Sequence, residues 1–363
     1  MRFTVSIKKF SQALGVVSRV ASTRSSLPIL ANVLIKAEKN QVFISATNLN
    51  IASQVFIGSK VSQNGAVTIP ARLLQEYIGS LSGETVEIEV KDNKINISTE
   101  LHKTIINGTD PKEFPEMPEL SGANIATTPA TNLKKYLSGV IICASTDDTK
   151  PILNSVIVTT EKGKSCLAST DGYRLAEQKT TNAIISQPKA IIPSTTVAEI
   201  IRVLPDDETI VEIKTNDQLA EFSFGDTKII TRLIEGNFPD YKNLIPKNFA
   251  NTAKVNKQEL ANTSKLASLF AKDTAGSINI STDEDSQKLS VKTIASQTGQ
   301  NESTIPAEVV GTANITINAR YINDALGQIS SETAIVCFNE KLQPCVIKGE
   351  NPDYLQVIMP LKS

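Results

Sequence analysis

Few residues of this chain have the type and spacing that chemistry requires. His102 is the only histidine in 363 residues, so a zinc site or a Ser-His-Asp arrangement would have to use an imidazole that sits in an alternating, strand-like segment. Cys143, Cys166, Cys337 and Cys345 show no C-x-x-C spacing and lie among apolar or small neighbours, which reads as buried reduced thiols. Neither a G-x-G-x-x-G nor a Walker A loop is present. The densest grouping is "ASTDGYRLAEQ", Ala168 to Gln178, where Asp171 with Ser169 or Thr170 could be written as a nucleophile pair. Asp and Thr at a strand turn are ordinarily local backbone caps, and no base or oxyanion hole accompanies them, so catalysis is disfavoured. No metal or cofactor is expected.

That turn has a looser copy. "SATNLNIASQ" spans Ser45 to Gln54, and its Thr47-Asn48 precedes Thr170-Asp171 by 123 residues. Repeats therefore organise the chain. "GETVEIEV", "DETIVEIK" and "SETAIVCF" place Glu-Thr at Glu84, Glu208 and Glu332, two steps of 124, each opening an alternating strand. Before each strand, "TIPAR", "IIPST" and "TINAR" supply the helix starts Pro70, Pro193 and Asn318. Leu74, Tyr77, Ile78 and Leu81 then follow the i, i+3, i+4, i+7 pattern, as do Val197, Ile200, Ile201 and Leu204, and Ile322, Ala325, Leu326 and Ile329. A second helix opens each copy, through Ile7, Phe10, Leu14 and Val17, then Leu133, Tyr136, Val140 and Cys143, then Leu260, Thr263, Ala267 and Phe270.

The expected fold class is α+β, with three tandem copies of a two-layer domain, each holding two helices packed on antiparallel sheets. Small, polar stretches at "SGANIATTPAT" and "PKNFANTAK" put the boundaries at 1–122, 123–248 and 249–363. No apolar run is long enough to cross a bilayer and no signal peptide opens the chain, so a cytoplasmic protein without membrane contact is expected.

Net charge is −1, but it is unevenly spread. The six expected helices carry eleven Lys plus Arg against four Asp plus Glu, while the rest of the chain is acidic. Solubility explains any one helix lysine. It does not require acidic sheets in compensation. Since no tract mixes basic residues with stacking aromatics, the pattern suits sequence-independent contact with phosphates. A scaffold that binds only proteins is the competing reading, and the cationic helices weigh against it.

"MRFTVSIKKFSQAL", "LPILANVLI", "STDGYRLAE", "GNFPDYKNLIPK" and the ending "YLQVIMPLKS" together resemble the bacterial sliding clamps, the beta subunits of DNA polymerase III, from end to end. The resemblance implies a head-to-tail homodimer of six similar domains, a ring with helices lining the hole and sheets outside. Six helices about 10 Å apart make a circle roughly 19 Å across, and twelve make one about 38 Å across. With about 5 Å of helix on each side removed, only twelve leave a bore, about 28 Å, that admits a duplex.

Such a ring encircles double-stranded DNA, slides on it and tethers a polymerase, making no bond itself. The resemblance also implies a hydrophobic cleft for short peptides from the polymerase, the clamp loader and repair factors. Matching cleft residues are Leu153, Thr170, Gly172, Tyr173, Arg174, Leu175, Pro239 and Leu244, facing Asn318, Tyr321, Val357, Ile358, Met359, Pro360 and Leu361. Arg174 and Tyr173 are expected to hold peptide polar groups at the rim. The DNA-contacting set is Lys8, Lys9, Arg24, Arg72, Lys134, Lys135, Lys150, Arg202, Lys257, Lys265 and Arg320. Dimer contacts are expected between Lys103, Thr104 and Ile106 and the residues Leu269 and Phe270. Departures from the family pattern are Tyr173, where a histidine is common, Thr274, and the terminal Lys362 and Ser363.

Overall fold

The computed structural model describes residues 1–21, 27–120, 125–271, 275–295, 299–340 and 342–361; Arg24, Thr274, Lys362 and Ser363 fall outside them. The first copy runs β1 (Arg2–Ser6), α1 (Ile7–Val17), β2 (Asn32–Glu38), β3 (Gln41–Thr47), β4 (Ile51–Gly58), β5 (Lys60–Gln63), β6 (Gly65–Pro70), α2 (Ala71–Ser80), β7 (Thr85–Lys91), β8 (Lys94–Ser98) and β9 (Lys103–Asn107). The second runs β10 (Ile125–Pro129), α3 (Ala130–Ile141), β11 (Ser155–Glu161), β12 (Lys164–Thr170), β13 (Arg174–Lys179), β14 (Lys189–Pro193), α4 (Ser194–Val203), β15 (Ile210–Thr215), β16 (Leu219–Phe224) and β17 (Thr227–Arg232). The third runs β18 (Asn251–Asn256), α5 (Lys257–Phe270), β19 (Ser277–Asp283), β20 (Lys288–Ala295), β21 (Gly299–Val310), β22 (Ala313–Asn318), α6 (Ala319–Gln328), β23 (Thr333–Phe338), β24 (Cys345–Lys348) and β25 (Tyr354–Ile358).

The helices form where the apolar spacing places them. In α1 the stripe Ile7, Phe10, Leu14 and Val17 is buried and Lys8 and Lys9 point away. Asn318 caps α6, its Oδ1 accepting from the Arg320 amide at 2.9 Å. One feature differs from expectation: each copy begins with a short strand ahead of its first helix, β1, β10 and β18. Their period-2 alternation, as in buried Phe3 and Val5 beside exposed Arg2, lasts only five or six residues, and the helix pattern that follows masks it.

The sheets do not respect the repeat boundaries. Two compact units emerge, residues Met1–Thr131 with Arg202–Leu233, and Asn132–Ile201 with Ile234–Ser363. The first holds a five-stranded sheet, β5-β1-β7-β8-β9, and an eight-stranded one, β10-β15-β16-β17-β4-β3-β2-β6. The second holds one twelve-stranded sheet, β14-β11-β12-β13-β25-β24-β23-β18-β21-β20-β19-β22.

In each unit the strand after the repeated turn pairs antiparallel with the last strand of the next copy. Val55 of β4 faces Thr227 of β17, and Gln178 of β13 faces Tyr354 of β25, equivalent positions in the repeat. The join is thus the same in both units, in element and in register.

Candidate functional site

The turn before β13 is closed by its own side chains. Thr170 Oγ1 donates to Arg174 O at 2.7 Å and accepts from the Gly172 amide at 3.1 Å, while Asp171 Oδ1 accepts from the amides of Tyr173 and Arg174 at 2.9 and 3.0 Å. The copy before β4 is built identically. Thr47 Oγ1 donates to Ile51 O and accepts from the Leu49 amide, both at 3.0 Å, and Asn48 Oδ1 accepts from the amides of Asn50 and Ile51. Gly172 has φ +91°, and Leu49 takes the matching left-handed conformation at +76°. Thr170 and Asp171 are therefore backbone caps. Ser169 is fully buried and donates to the Val140 carbonyl, so no free hydroxyl is left for nucleophilic work.

What distinguishes the second turn is the pair that follows. Tyr173 is 66% exposed, whereas Arg174 is buried. Arg174 Nε lies 3.0 Å from Asp171 Oδ2, its Nη1 lies 2.5 Å from Asp324 Oδ2 on α6, and its guanidinium sits 4.5 Å over the Tyr321 ring. Burial opposes the charge, but the hydrogen bonds to Asp324 and Asp171 outweigh it and raise the Arg174 pKa above its ordinary value. Expected as a rim donor for peptide, Arg174 is instead committed to two carboxylates and an aromatic face. Burial, helped by the Asp171 charge, also raises the Tyr321 phenol.

β13 and β25 share an apolar face. Leu175 pairs with Val357, and both are buried in a cluster with Ile157, Ala168 and Tyr241, against which Ile152, Ile234, Phe238 and Ile245 pack. The pleat turns Arg174 and Ile358 to the opposite face, so Ile358, fully buried, lies behind the expected cleft wall rather than in it. The ladder continues past β25, the Met359 amide donating to Tyr173 O at 2.9 Å and the Leu361 amide to Thr316 O at 2.8 Å.

Large side chains left open around this face are Met359 at 38%, Leu244 at 55% and Tyr173. Pro239 is exposed, and Leu153, Asn318, Pro360 and Leu361 are half-buried. Sequence reasoning missed Asp324, a helix residue with no local signal, and Tyr241, which belongs to the quoted "FPDY" but closes the apolar cluster.

The cationic positions divide. Lys8, Lys9, Lys135, Arg202 and Lys265 are exposed on helices. Arg72 pairs with Glu76 at 2.8 Å, Arg320 with Asp324 at 3.8 Å, and Lys150, in a loop, with Asp147 at 3.4 Å. Lys134 is half-buried, and Lys257 Nζ donates to Ile329 O at 2.8 Å at the end of α6.

Of the expected interface residues, Lys103 is exposed, Thr104 and Phe270 are half-buried and Leu269 is 56% exposed. Ile106 is only 7% exposed; its neighbour Ile105, at 65%, is the side chain β9 presents outward. His102 is exposed in the turn before β9.

Among the described residues no group of three or more His, Cys, Asp or Glu could hold a metal ion. The four cysteines are free thiols; burial pushes Cys143 and Cys345 far up and Cys166 to about 11.

Three family models match the chain: the N-terminal domain of the DNA polymerase III beta subunit over residues 1–118, its central domain over 127–240 and its C-terminal domain over 242–362. The beta sliding clamp of Synechococcus elongatus is 27% identical over 378 residues, covering 100% of this chain and 99% of that protein. That of Staphylococcus aureus is 26% identical over 377 residues, covering 100% of both. The crystal structure of the Bacillus subtilis DNA polymerase sliding clamp shares the fold, with a TM-score of 0.96 at 24% identity over 100% of this chain and 99% of that one. The Bartonella birtlesii clamp, solved bound to griselimycin, matches with a TM-score of 0.94 at 27% identity over 100% of both chains. With all three domain models matched in order along the chain and its sheets and helices those of three clamp domains, this protein belongs to the sliding clamp family, the beta subunits of DNA polymerase III.

Proposed function

We propose that two copies of this chain close head to tail into a ring that encircles duplex DNA, slides without reading sequence and holds the replicative polymerase through a peptide-binding cleft. Family membership makes the chain a processivity factor of DNA replication, an accessory subunit rather than a catalyst. Tethering raises the effective concentration of the polymerase at its template, and that is the whole of the yield.

The observation that carries the ring is the repeated strand join. β4 takes β17, and β13 takes β25. The equivalent strand of the third copy is the first part of β21, which pairs β20 on one edge and, among the described residues, nothing on the other until Ala307 reaches β18. The remaining last strand is β9, which among the described residues pairs only β8. Carrying the internal register across brings Lys103 of one copy opposite Glu302 of the second, Thr104 opposite Asn301 and Ile105 opposite Gln300. Two free edges with matching register support closure by a second copy. Light scattering at micromolar protein tests this; a particle of only the 39.2 kDa chain mass would exclude it.

The exposed helix cations support weak, collective phosphate contact. Retention on nicked circular duplex DNA, with release on linearisation, is the expected behaviour. Equal retention on both would favour ordinary binding.

The apolar face of Leu175 and Val357, rimmed by Met359, Leu244 and Tyr173, supports reception of short peptides from the polymerase, the clamp loader and repair factors. The griselimycin complex of the Bartonella birtlesii clamp supports a ligand site on this fold. Of the boundaries at 1–122, 123–248 and 249–363, the first is supported by the family models ending at 118 and starting at 127, while the models meet at 240–242, ahead of the second. No helix among the described residues is long and apolar enough to cross a membrane, in keeping with a cytoplasmic place of action on DNA.

A further inference from the structure

The side chains on one face of β11, β12, β13 and β25 stand in successive rows. Leu175 and Val357 form the row of the peptide cleft. Glu177 and Leu355 form the next, then Cys166 with Lys179, then Glu161 with Lys164. Tyr241 lies over the middle rows, buried in the apolar cluster with its hydroxyl 3.6 Å from Cys166 Sγ. Beyond it, between the sheet and residues 242–247, opens a hollow of about 480 Å³ floored by Cys166, Ile245 and Leu355.

Lysines dominate its mouth. Lys179 reaches Glu177 at 3.7 Å, and Glu161 lies 3.8 Å from Lys162. Lys164, Lys242 and Lys247 are exposed, with no carboxylate within 4.0 Å among the described residues.

The repeat supplies an internal comparison. The equivalent hollow of the first unit, lined by Leu34, Lys36, Glu38, Phe43, Gln54 and Met117 among others, is about 250 Å³. There Phe43 stands where Cys166 does and Phe56 where Lys179 does, their rings 6.3 Å apart, while Lys36 and Glu38 neutralise each other at 3.0 Å. Replacing two phenylalanines by a cysteine and a lysine opens the second hollow and charges its mouth.

We propose that this hollow is a second docking groove, distinct from the peptide cleft, for an acidic protein segment carrying one large apolar side chain. The apolar floor takes the side chain, and the lysines take the flanking carboxylates and set direction.

The test is fluorescence anisotropy of the whole protein with a fluorescein-labelled peptide that has one leucine between short runs of glutamate. Saturable binding is expected, weakened roughly tenfold or more in the Lys242→Glu/Lys247→Glu double variant and weakened by salt. Exchanging the peptide leucine for alanine should weaken it as well, and bound peptide should slow alkylation of Cys166.

Absence of binding, an unchanged affinity in the double variant, or equal binding of an all-glutamate peptide would each overturn the proposal. So would loss confined to a Lys8→Glu/Lys9→Glu variant, which would assign the peptide to the helix face. If a single-stranded oligonucleotide rather than the peptide shows the double-variant loss, the groove serves nucleic acid and the proposal falls. Met359→Ala should leave this probe unaffected, so the groove and the peptide cleft stand or fall separately.

Discussion

Arg174 of β13 and Asp324 of α6, 150 residues apart in sequence, meet at 2.5 Å and join the second domain to the third. The arginine is buried and also holds Asp171, so removing the Asp324 charge leaves a guanidinium short of a partner it cannot replace with water. Asp324→Asn should cost about 1 to 3 kcal/mol in urea unfolding. Arg174→Gln should cost a similar amount, and the double variant less than the sum of the two, since each change already breaks the pair. Additive losses would show that the contact carries no coupling.

The peptide cleft should separate into anchors that matter for folding and anchors that matter for binding. Leu175 is 4% exposed and packs in the core, so Leu175→Ala should lower stability by about 2 to 4 kcal/mol as well as affinity. Met359 and Leu244 are open; changing either to Ala should cost about 1 to 3 kcal/mol in binding of a polymerase-tail peptide while leaving the unfolding midpoint in place. Anisotropy paired with urea denaturation distinguishes the two.

Ile105 and Leu269 are the exposed apolar side chains at the two expected dimer surfaces. Ile105→Asp or Leu269→Asp should leave circular dichroism unchanged and shift light scattering to the mass of one chain, because a carboxylate in an apolar interface finds no partner. Ile106→Asp, at a buried position, should instead lower stability.

Changing Lys8, Lys9, Lys135 and Lys265 singly to Ala should do almost nothing to DNA retention, while the quadruple variant should lose it, more so as salt rises. Each exposed charge is screened by water and ions, so on the proposed reading only their sum would hold the duplex near the helices. Discrimination between short duplexes of different sequence would contradict this account.

Cys166 is half-buried and its thiol is pushed up to about 11, chiefly by burial and further by the Glu177 charge, so at neutral pH it is protonated. The thiolate is the reactive form, so alkylation should speed up roughly tenfold per pH unit from 8 to 10. An exposed cysteine would level off near pH 9. Cys143, Cys337 and Cys345 are buried and should stay unmodified until the chain unfolds, which mass spectrometry of the native protein can check.

The triplicate plan, the six helices to within a few residues and the cap chemistry of Thr170 and Asp171 were all legible in the sequence. Each depends on periodicity or on hydrogen bonds spanning two to four residues. The same locality hid the short opening strands β1, β10 and β18, whose alternation is too brief to stand out beside a helix.

What tertiary structure alone decided are the pairings between distant segments. Alternation says that Ile105 and Ile106 face opposite ways, but only the packing of β9 on its sheet says which one is inside. It separates Leu175 from Arg174, but only the join of β13 to β25 sets Val357 beside the leucine, and only α6 brings Asp324 to the arginine. A residue's own neighbours fix its conformation and the line along which its side chain can point. What stands at the end of that line belongs to another part of the chain, and burial chooses it only when the whole sheet has assembled.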